Sequence, residues 1–573
     1  MCGIIGQFGG QTDKKVFERA RDVMQKRGPD DSGVYYDDKN SVALGHRRLS
    51  ILDLSLAGRQ PMASHEGRYL IVFNGEIFNF LELRKELPEY PFKTGTDTEV
   101  LLAAYAKWGA DCLQRLNGQF AFTIYDSQNR EFFCVRDRLG ILPFFYSVSG
   151  GMFRFASEIK AILAMGVPAK VNDRTIFEYL RYNAYDHSEE TFFDGIKRLS
   201  PGHYAIWKEG RLAIKSYWDL KGLASEEGKY EKLTEQDAIA RFKELMTDAI
   251  RLRFRSDVPV GLNLSSGIDS MSMLFFTKAV IGDVRLFSAG LSDAAYDESD
   301  YLRKLLDSSQ QKFLTTSHLT PEKVWPLAEK LNVIQDEPYG GFSTINYLNL
   351  YEETKIPGVT VLLEGQGMDE ILGGYRYYSE DGANQDFSQD MTREGAAGAI
   401  SPDFARRFEN TALSFPKPFR SGLLNLQYRD LRYTKLPRVL RFNDHINLAY
   451  SKELRVPYLD HRLVEFCFFL PAKFKIDGER RKVLLRDAMK DIVPELDRNR
   501  AKTFFGAFQT DWIRKYFQKE INQILDSQSF KNRPYWDYKK AREKADRFFA
   551  GEGDNSFFLW QWINLEAWLR HFF

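Results

Sequence analysis

The chain has 573 residues, too many for one hydrophobic core, so two to four domains are expected. Its 80 basic and 79 acidic residues leave a formal charge of +1, without the basic excess that nucleic acid or an anionic membrane surface attracts. No basic segment followed by an apolar one opens the chain, and the apolar run at 466–470 is too short to span a bilayer. Four scattered cysteines (Cys2, Cys112, Cys134, Cys467) lack the spacing of a disulfide framework or zinc site, which predicts a protein of the reducing cytoplasm.

Cys2 is the first residue of chemical interest. Removal of Met1 would leave it with both a thiol and a free α-amine. Such an amine titrates near pH 7.7–8 and can accept the thiol proton without a histidine. Short β-branched and aromatic runs follow at 42–44, 69–73, 120–125, 132–135 and 144–146, so the front of the chain reads as β-rich with a few helices. Between them lie Arg27-Gly28-Pro29-Asp30, a turn, and His46-Arg47-Arg48-Leu49-Ser50-Ile51, which sets guanidinium groups beside a strand. Asn74-Gly75-Glu76 follows the run at 69–73 and has the chemistry of a hairpin turn. Asp97, inside Thr94-Gly95-Thr96-Asp97-Thr98-Glu99, could cap the next helix. His46 and His461 read as hydrogen-bonded structural residues rather than ligands.

A polar, charged stretch marks a boundary at 218–235. Thr234 then looks like a helix cap, and Ile239, Phe242, Met246 and Ile250 recur on one helical face. Beyond it, apolar strands alternate with amphipathic helices, as in a parallel α/β sheet. The run 258–264 leads into Ser265-Ser266-Gly267-Ile268-Asp269-Ser270 and an apolar helix. A strand, a Ser/Gly loop and a helix N-terminus make an anion cradle, though not a Walker A loop, since no Gly-Lys-Ser/Thr follows.

Three later segments complete the pattern: Gly365-Gln366-Gly367-Met368-Asp369-Glu370 with Gly373-Gly374-Tyr375, then Arg455-Val456-Pro457-Tyr458-Leu459-Asp460, then Arg481-Lys482-Val483-Leu484. With Met-Cys-Gly-Ile, Arg-Gly-Pro-Asp, Arg-Leu-Ser-Ile, Asn-Gly-Glu-Ile, Gly-Thr-Asp-Thr-Glu, Arg-Asp-Arg-Leu-Gly and Ala-Ser-Glu-Ile-Lys in order, the first half resembles the class II glutamine amidotransferase domain. The loop at 265–270 resembles that of ATP pyrophosphatases, and the whole chain resembles the glutamine-hydrolysing asparagine synthetase family. The resemblance implies an α+β N-terminal-nucleophile hydrolase domain with layers αββα over 2–217 and a linker over 218–235. An α/β ATP-pyrophosphatase domain with a parallel sheet and a helical C-terminal part would follow over 236–573.

It also implies roles. Cys2 would attack glutamine, with Asn74 and the Gly75 N–H as oxyanion donors. Arg48 would hold the α-carboxylate, and Glu76 or Asp97 the α-ammonium. Leu264, Ser265, Ser266, Gly267, Asp269, Ser270, Ala289, Glu364 and Gly365 would bind ATP. Asp269 and Asp369 would hold Mg²⁺, and Lys482 would stabilise the leaving pyrophosphate. Gln366, Asp369, Tyr375 and Asp444 are candidates for the acceptor pocket. The expected substrates are glutamine, ATP and aspartate or another carboxylate, and a homodimer is the family expectation.

Three departures stand out, all on the synthetase side. Ser266 replaces a usual glycine. Gln366 stands where the family has a glutamate near the ammonia and the acyl-adenylate. Asp444-His445-Ile446-Asn447 replaces Asp-Arg-x-Ser. The reading is therefore amidation of aspartate, with the same chemistry on a sugar uronate or natural-product acid as the alternative. A non-catalytic binding or storage homologue is disfavoured, because Cys2, Asp269, Asp369 and Lys482 are all present.

Overall fold

The computed structural model describes residues 1–379, 397–408, 412–490 and 506–573, leaving out the side chains of 506 and 507. The first half folds as two six-stranded antiparallel sheets. Gly3–Phe8 lies inside one of them, between Val42–Arg48 and Met152–Ala156, so it places Cys2 at the sheet's end. Tyr69–Ile77 and Gly118–Asp126 pair inside the other. Ile4, Leu44, Val72, Ala121 and Phe132 fill one core between the sheets, each less than 3% exposed. The helix Lys14–Asp22 covers the outside of the first sheet, and Asp97–Trp108 that of the second. This is the αββα layering expected from the motif order.

The second half is built on a five-stranded sheet. In spatial order its strands are Leu314–Leu319, Arg285–Leu291, Val260–Asn263, Val361–Leu363 and Glu453–Arg455, all parallel. Chain order reverses direction between Val260–Asn263 and Val361–Leu363. Open α/β sheets bind ligands at such a switch point, outside the carboxyl ends of the strands. The helix Ile268–Val280 follows the first of these strands across the loop at 264–267. Helices Phe342–Thr354 and Lys435–Ala449 pack on each other close to the same sheet. Helices from Gly506–Tyr516 to Phe557–Phe572 complete the C-terminal part, where Trp560, Trp562 and Trp568 are buried.

The stretch at 218–235 is strapped down rather than loose. Asp219 accepts a hydrogen bond from the Tyr428 hydroxyl at 3.0 Å. Glu227 accepts from the Arg420 and Ser421 backbone N–H groups at 2.9 and 2.8 Å. Thr234 then caps Glu235–Arg253 by accepting from Asp237 N, as its sequence signature predicts. No helix among the described residues is long and apolar enough to cross a membrane.

Candidate functional site

Cys2 lies where the two halves meet. Its backbone N–H donates to Asn74 Oδ1 at 2.8 Å, and its sulfur sits 3.8 Å from Leu49 O. Burial pushes the thiol pKa up, partly offset by the positive chain terminus. Because Asn74 Oδ1 is engaged, its amide nitrogen is fixed in orientation. Nδ2 is buried and donates to nothing among the described residues. An oriented, unspent donor beside a nucleophile is what an oxyanion hole requires.

Asn74 and Gly75 are not in a turn. They lie inside Tyr69–Ile77, opposite Ala121 and Phe120, so the hairpin-turn reading of this dipeptide fails. Gly75 has φ +146°, and a Cβ there would lie 2.2 Å from Gln119 O and 2.7 Å from Phe120 Cα. Gly75→Ala must therefore displace the strand that carries Asn74 and the Gly75 N–H, the expected oxyanion donors. Its glutaminase activity is expected to fall about 10²–10³-fold, the scale of one oxyanion contact. Amidation driven by ammonium should persist, and comparing the two rates in one preparation checks this.

Asp97 is not the cap either. Thr96 caps the helix by accepting from Glu99 N, while Asp97 Oδ2 accepts from Ile77 N at 2.8 Å. This bond ties the helix start to the end of the Gly75 strand. Burial and the nearby Glu453 push Asp97 up to about 7, and burial likewise raises Glu76. Met1 is 1% exposed, and its ammonium lies 2.7 Å from Glu453 Oε2. Arg455 Nη2 is 3.6 Å from Glu76 and Arg455 Nε 2.6 Å from Glu453. Glu453 thus pairs with the α-ammonium, with Glu76 nearby, and Arg455 shares both carboxylates. Glu453, contributed by the other half of the chain, lay outside any motif in the sequence.

Arg48 is held differently from expectation. It donates to the backbone carbonyls of Ser55, Leu52 and Asp53 at 2.7, 3.1 and 2.5 Å. Both Nη2 hydrogens are used. The two-pronged grip on a carboxylate expected of Arg48 is therefore not preformed, because each two-nitrogen edge of a guanidinium includes Nη2. His46 Nε2 lies 3.1 Å from Phe73 O, and burial lowers its pKa to about 3, consistent with a structural role.

On the synthetase side the loop takes the expected form. Ser265 and Ser270 hydroxyls lie 2.9 Å apart, and Gly267 N donates to Ser265 Oγ at 3.4 Å. Ser266 keeps a negative φ, so its Cβ costs no backbone strain, and its hydroxyl reaches Glu298. Lys482 is 5% exposed, and its Nζ lies 2.6 Å from Asp269 and 2.5 Å from Asp369. Lys482 has φ +55°, a left-handed conformation that strains any side-chain-bearing residue and clusters at functional sites. Gly374 allows the close approach, since a Cβ would meet Asp369 Oδ1 at 2.0 Å and Lys482 Cε at 2.3 Å. A Cβ on Gly365 would come within 3.6 Å of Asp269 Cβ, so Gly365 borders the same loop. Leu264 is buried, and Ala289 lies on the adjoining strand Arg285–Leu291. Tyr375 donates to Glu370 Oε1 at 2.6 Å, close to Asp369 in the chain.

Asp444 is brought elsewhere. It accepts from Arg27 Nη1 at 2.8 Å and Nη2 at 3.3 Å, and Arg27 Nε donates to Cys2 O at 3.1 Å. Arg27 also pairs with Glu158 at 3.2 Å. The expected acceptor-pocket residue is thus a buried strut between the two halves. Its charge is spent on Arg27, because an unpaired buried carboxylate would be costly.

Glu364 and Gln366 form a separate network. Glu364 accepts from Asn263 Nδ2, from the Tyr347 hydroxyl and, at 2.9 Å, from Asn443 Nδ2. Gln366 lies close enough to help stabilise the same carboxylate. Asn447 donates to the Tyr347 hydroxyl at 2.8 Å and accepts from that of Tyr351.

Known proteins bear on this arrangement. Residues 1–218 match the model of the glutamine amidotransferase domain, and residues 241–570 that of asparagine synthase. Asparagine synthetase [glutamine-hydrolyzing] 3 of Bacillus subtilis is 31% identical over 86% of this chain and 85% of its own. Asparagine synthetase [glutamine-hydrolyzing] 1 of the same organism is 28% identical over 99% and 97%. A putative asparagine synthetase [glutamine-hydrolyzing] 2 of Methanocaldococcus jannaschii is 34% identical over 69% and 79%. With the pairing of a Cys2 site and a Lys482 site in one molecule, these matches show that the chain belongs to the asparagine synthase family and carries a glutamine amidotransferase domain at its N-terminus.

Proposed function

We propose that this chain is an ATP-dependent, glutamine-hydrolysing amidotransferase that converts aspartate to asparagine, releasing AMP and pyrophosphate. The observation that carries the reading is the Asn74 amide, oriented by Cys2 and with Nδ2 left to donate. In the processed chain the Cys2 amine accepts the thiol proton, and the sulfur attacks the glutamine side-chain carbonyl. Asn74 Nδ2 and the Gly75 N–H stabilise the oxyanion. Ammonia leaves, and water then releases glutamate from the thioester. At the second site the aspartate side-chain carboxylate attacks the α-phosphate of ATP, and pyrophosphate departs with its charge met by Lys482. Ammonia displaces AMP from the resulting aspartyl-adenylate.

Asp269 and Asp369 fit a Mg²⁺ role, since the single Lys482 ammonium touches both carboxylates and they therefore converge on one cation. Bound there, the ion would neutralise phosphate charge. Four free, buried cysteines support a cytoplasmic setting. The test is exchange of labelled pyrophosphate into ATP. Exchange stimulated by aspartate above a panel of uronic and other carboxylic acids is the expected result. Exchange with another acid but not with aspartate would overturn the choice of acceptor.

A further inference from the structure

The strand Val361–Leu363 ends at the switch point, and register with Val260–Asn263 sets Glu364 beside Asn263, directly before the phosphate loop. We propose that Glu364 accepts the proton that ammonia loses as it attacks the acyl-adenylate, and that Gln366 has exchanged this duty for holding Glu364 in place. The proposal rests on the adenylation reading above. The nitrogen lone pair forms the C–N bond, and the carbonyl electron pair moves to oxygen and returns to expel AMP. The surplus N–H proton goes to the Glu364 carboxylate.

Three observations converge on Glu364. First, Glu364 and Gln366 lie two residues apart in the short connection between Val361–Leu363 and Met368–Ile371, so either position can serve the same end of the strand. Gln366 is among the side chains that stabilise the Glu364 carboxylate. Second, the carboxylate lies on the side from which ammonia must come. Asn443 and Asp444 are successive residues of Lys435–Ala449. One donates to Glu364, and the other binds the Arg27 that holds the Cys2 carbonyl. Third, every group shown to stabilise it is neutral: Asn263, Tyr347, Asn443 and Gln366. Among the described residues no cation pairs with it, and burial raises its pKa, which makes the carboxylate a stronger base than one in water. The departures at Gln366 and Asn447 then form one network, which preserves the chemistry with the acid displaced by two residues. The alternative, that they retune the acceptor pocket, is not needed.

The test uses full-length Glu364→Gln, Gln366→Glu and the double swap Glu364→Gln/Gln366→Glu. Each is assayed for glutaminase, aspartate-dependent pyrophosphate exchange and ammonium-driven amidation. Glu364→Gln should keep glutaminase near the unaltered level, which also certifies folding, while amidation falls about 10²–10⁴-fold further than any fall in pyrophosphate exchange. Gln366→Glu alone should not accelerate amidation, and the double swap should recover at least about tenfold of the loss. Unimpaired amidation in Glu364→Gln would overturn the proposal. So would exchange falling in step with amidation, which would make Glu364 a nucleotide-site group, or a double swap no better than the single variant. Absence of exchange in the unaltered protein would overturn the adenylation reading itself.

Discussion

Cys2→Ala is expected to bring glutamine-driven amidation below detection while ammonium-driven amidation stays close to that of the unaltered enzyme. Removing a covalent nucleophile costs on the order of 10⁶-fold where it has been measured in a hydrolase, far beyond any packing effect. Packing effects should be small beside this, because the change removes a single atom whose hydrogen bond to Leu49 O is long, at 3.8 Å. The sulfur takes part in only one of the two half-reactions, and the Lys482 site needs nothing from it. Cys2→Ser should be almost as inactive, since a hydroxyl gives up its proton far less readily to the same amine. Steady-state assays with glutamine and with ammonium, run in parallel, decide it. Glutamine-dependent product from Cys2→Ala would refute the nucleophile assignment.

Lys482→Ala is expected to abolish amidation from both nitrogen sources, by at least about 10³-fold, with glutaminase activity retained. The variant loses the cation proposed to meet pyrophosphate, and it leaves Asp269 and Asp369 facing each other without the ammonium that now touches both. Lys482→Arg should recover little. The planar guanidinium cannot replace a compact ammonium between two carboxylates in a space that even Gly374 can barely leave open. Nucleotide products followed by chromatography give a second reading, with AMP rather than ADP accompanying any residual turnover. A variant that loses only glutamine-driven synthesis would place Lys482 in the coupling path instead of the synthetase site.

The layers of the fold and the loop at 265–270 could be read from the chain because each was written locally, as strand, loop and helix in succession. What could not be read is what crosses between distant segments. Met1 and Glu453 are 452 residues apart, Arg27 and Asp444 are 417, and no local pattern announces either pair. Asn74-Gly75 misled for a related reason. The dipeptide has turn chemistry, and only the partner strand Gly118–Asp126, which crowds Gly75, shows why a glycine is needed in mid-strand. Glu364 was in view as part of the nucleotide site. Its neutral donors come from three different segments, so its environment emerges only in the folded chain.

The burial of Met1 has a consequence for the order of events in biosynthesis. An aminopeptidase needs a protruding, extended terminus, and here the terminus is shut beneath a strand of the second domain. The ribosome must add 452 more residues before Glu453 exists. At about 5–20 residues per second, that leaves a window of roughly 20–90 s in which the first domain can be trimmed. Closure of the two halves ends the window. A chain that closes with Met1 in place has the Cys2 nitrogen locked in a peptide bond, where it cannot accept the thiol proton. On the reading proposed above, removal of Met1 therefore belongs before the strand that carries Glu453 docks.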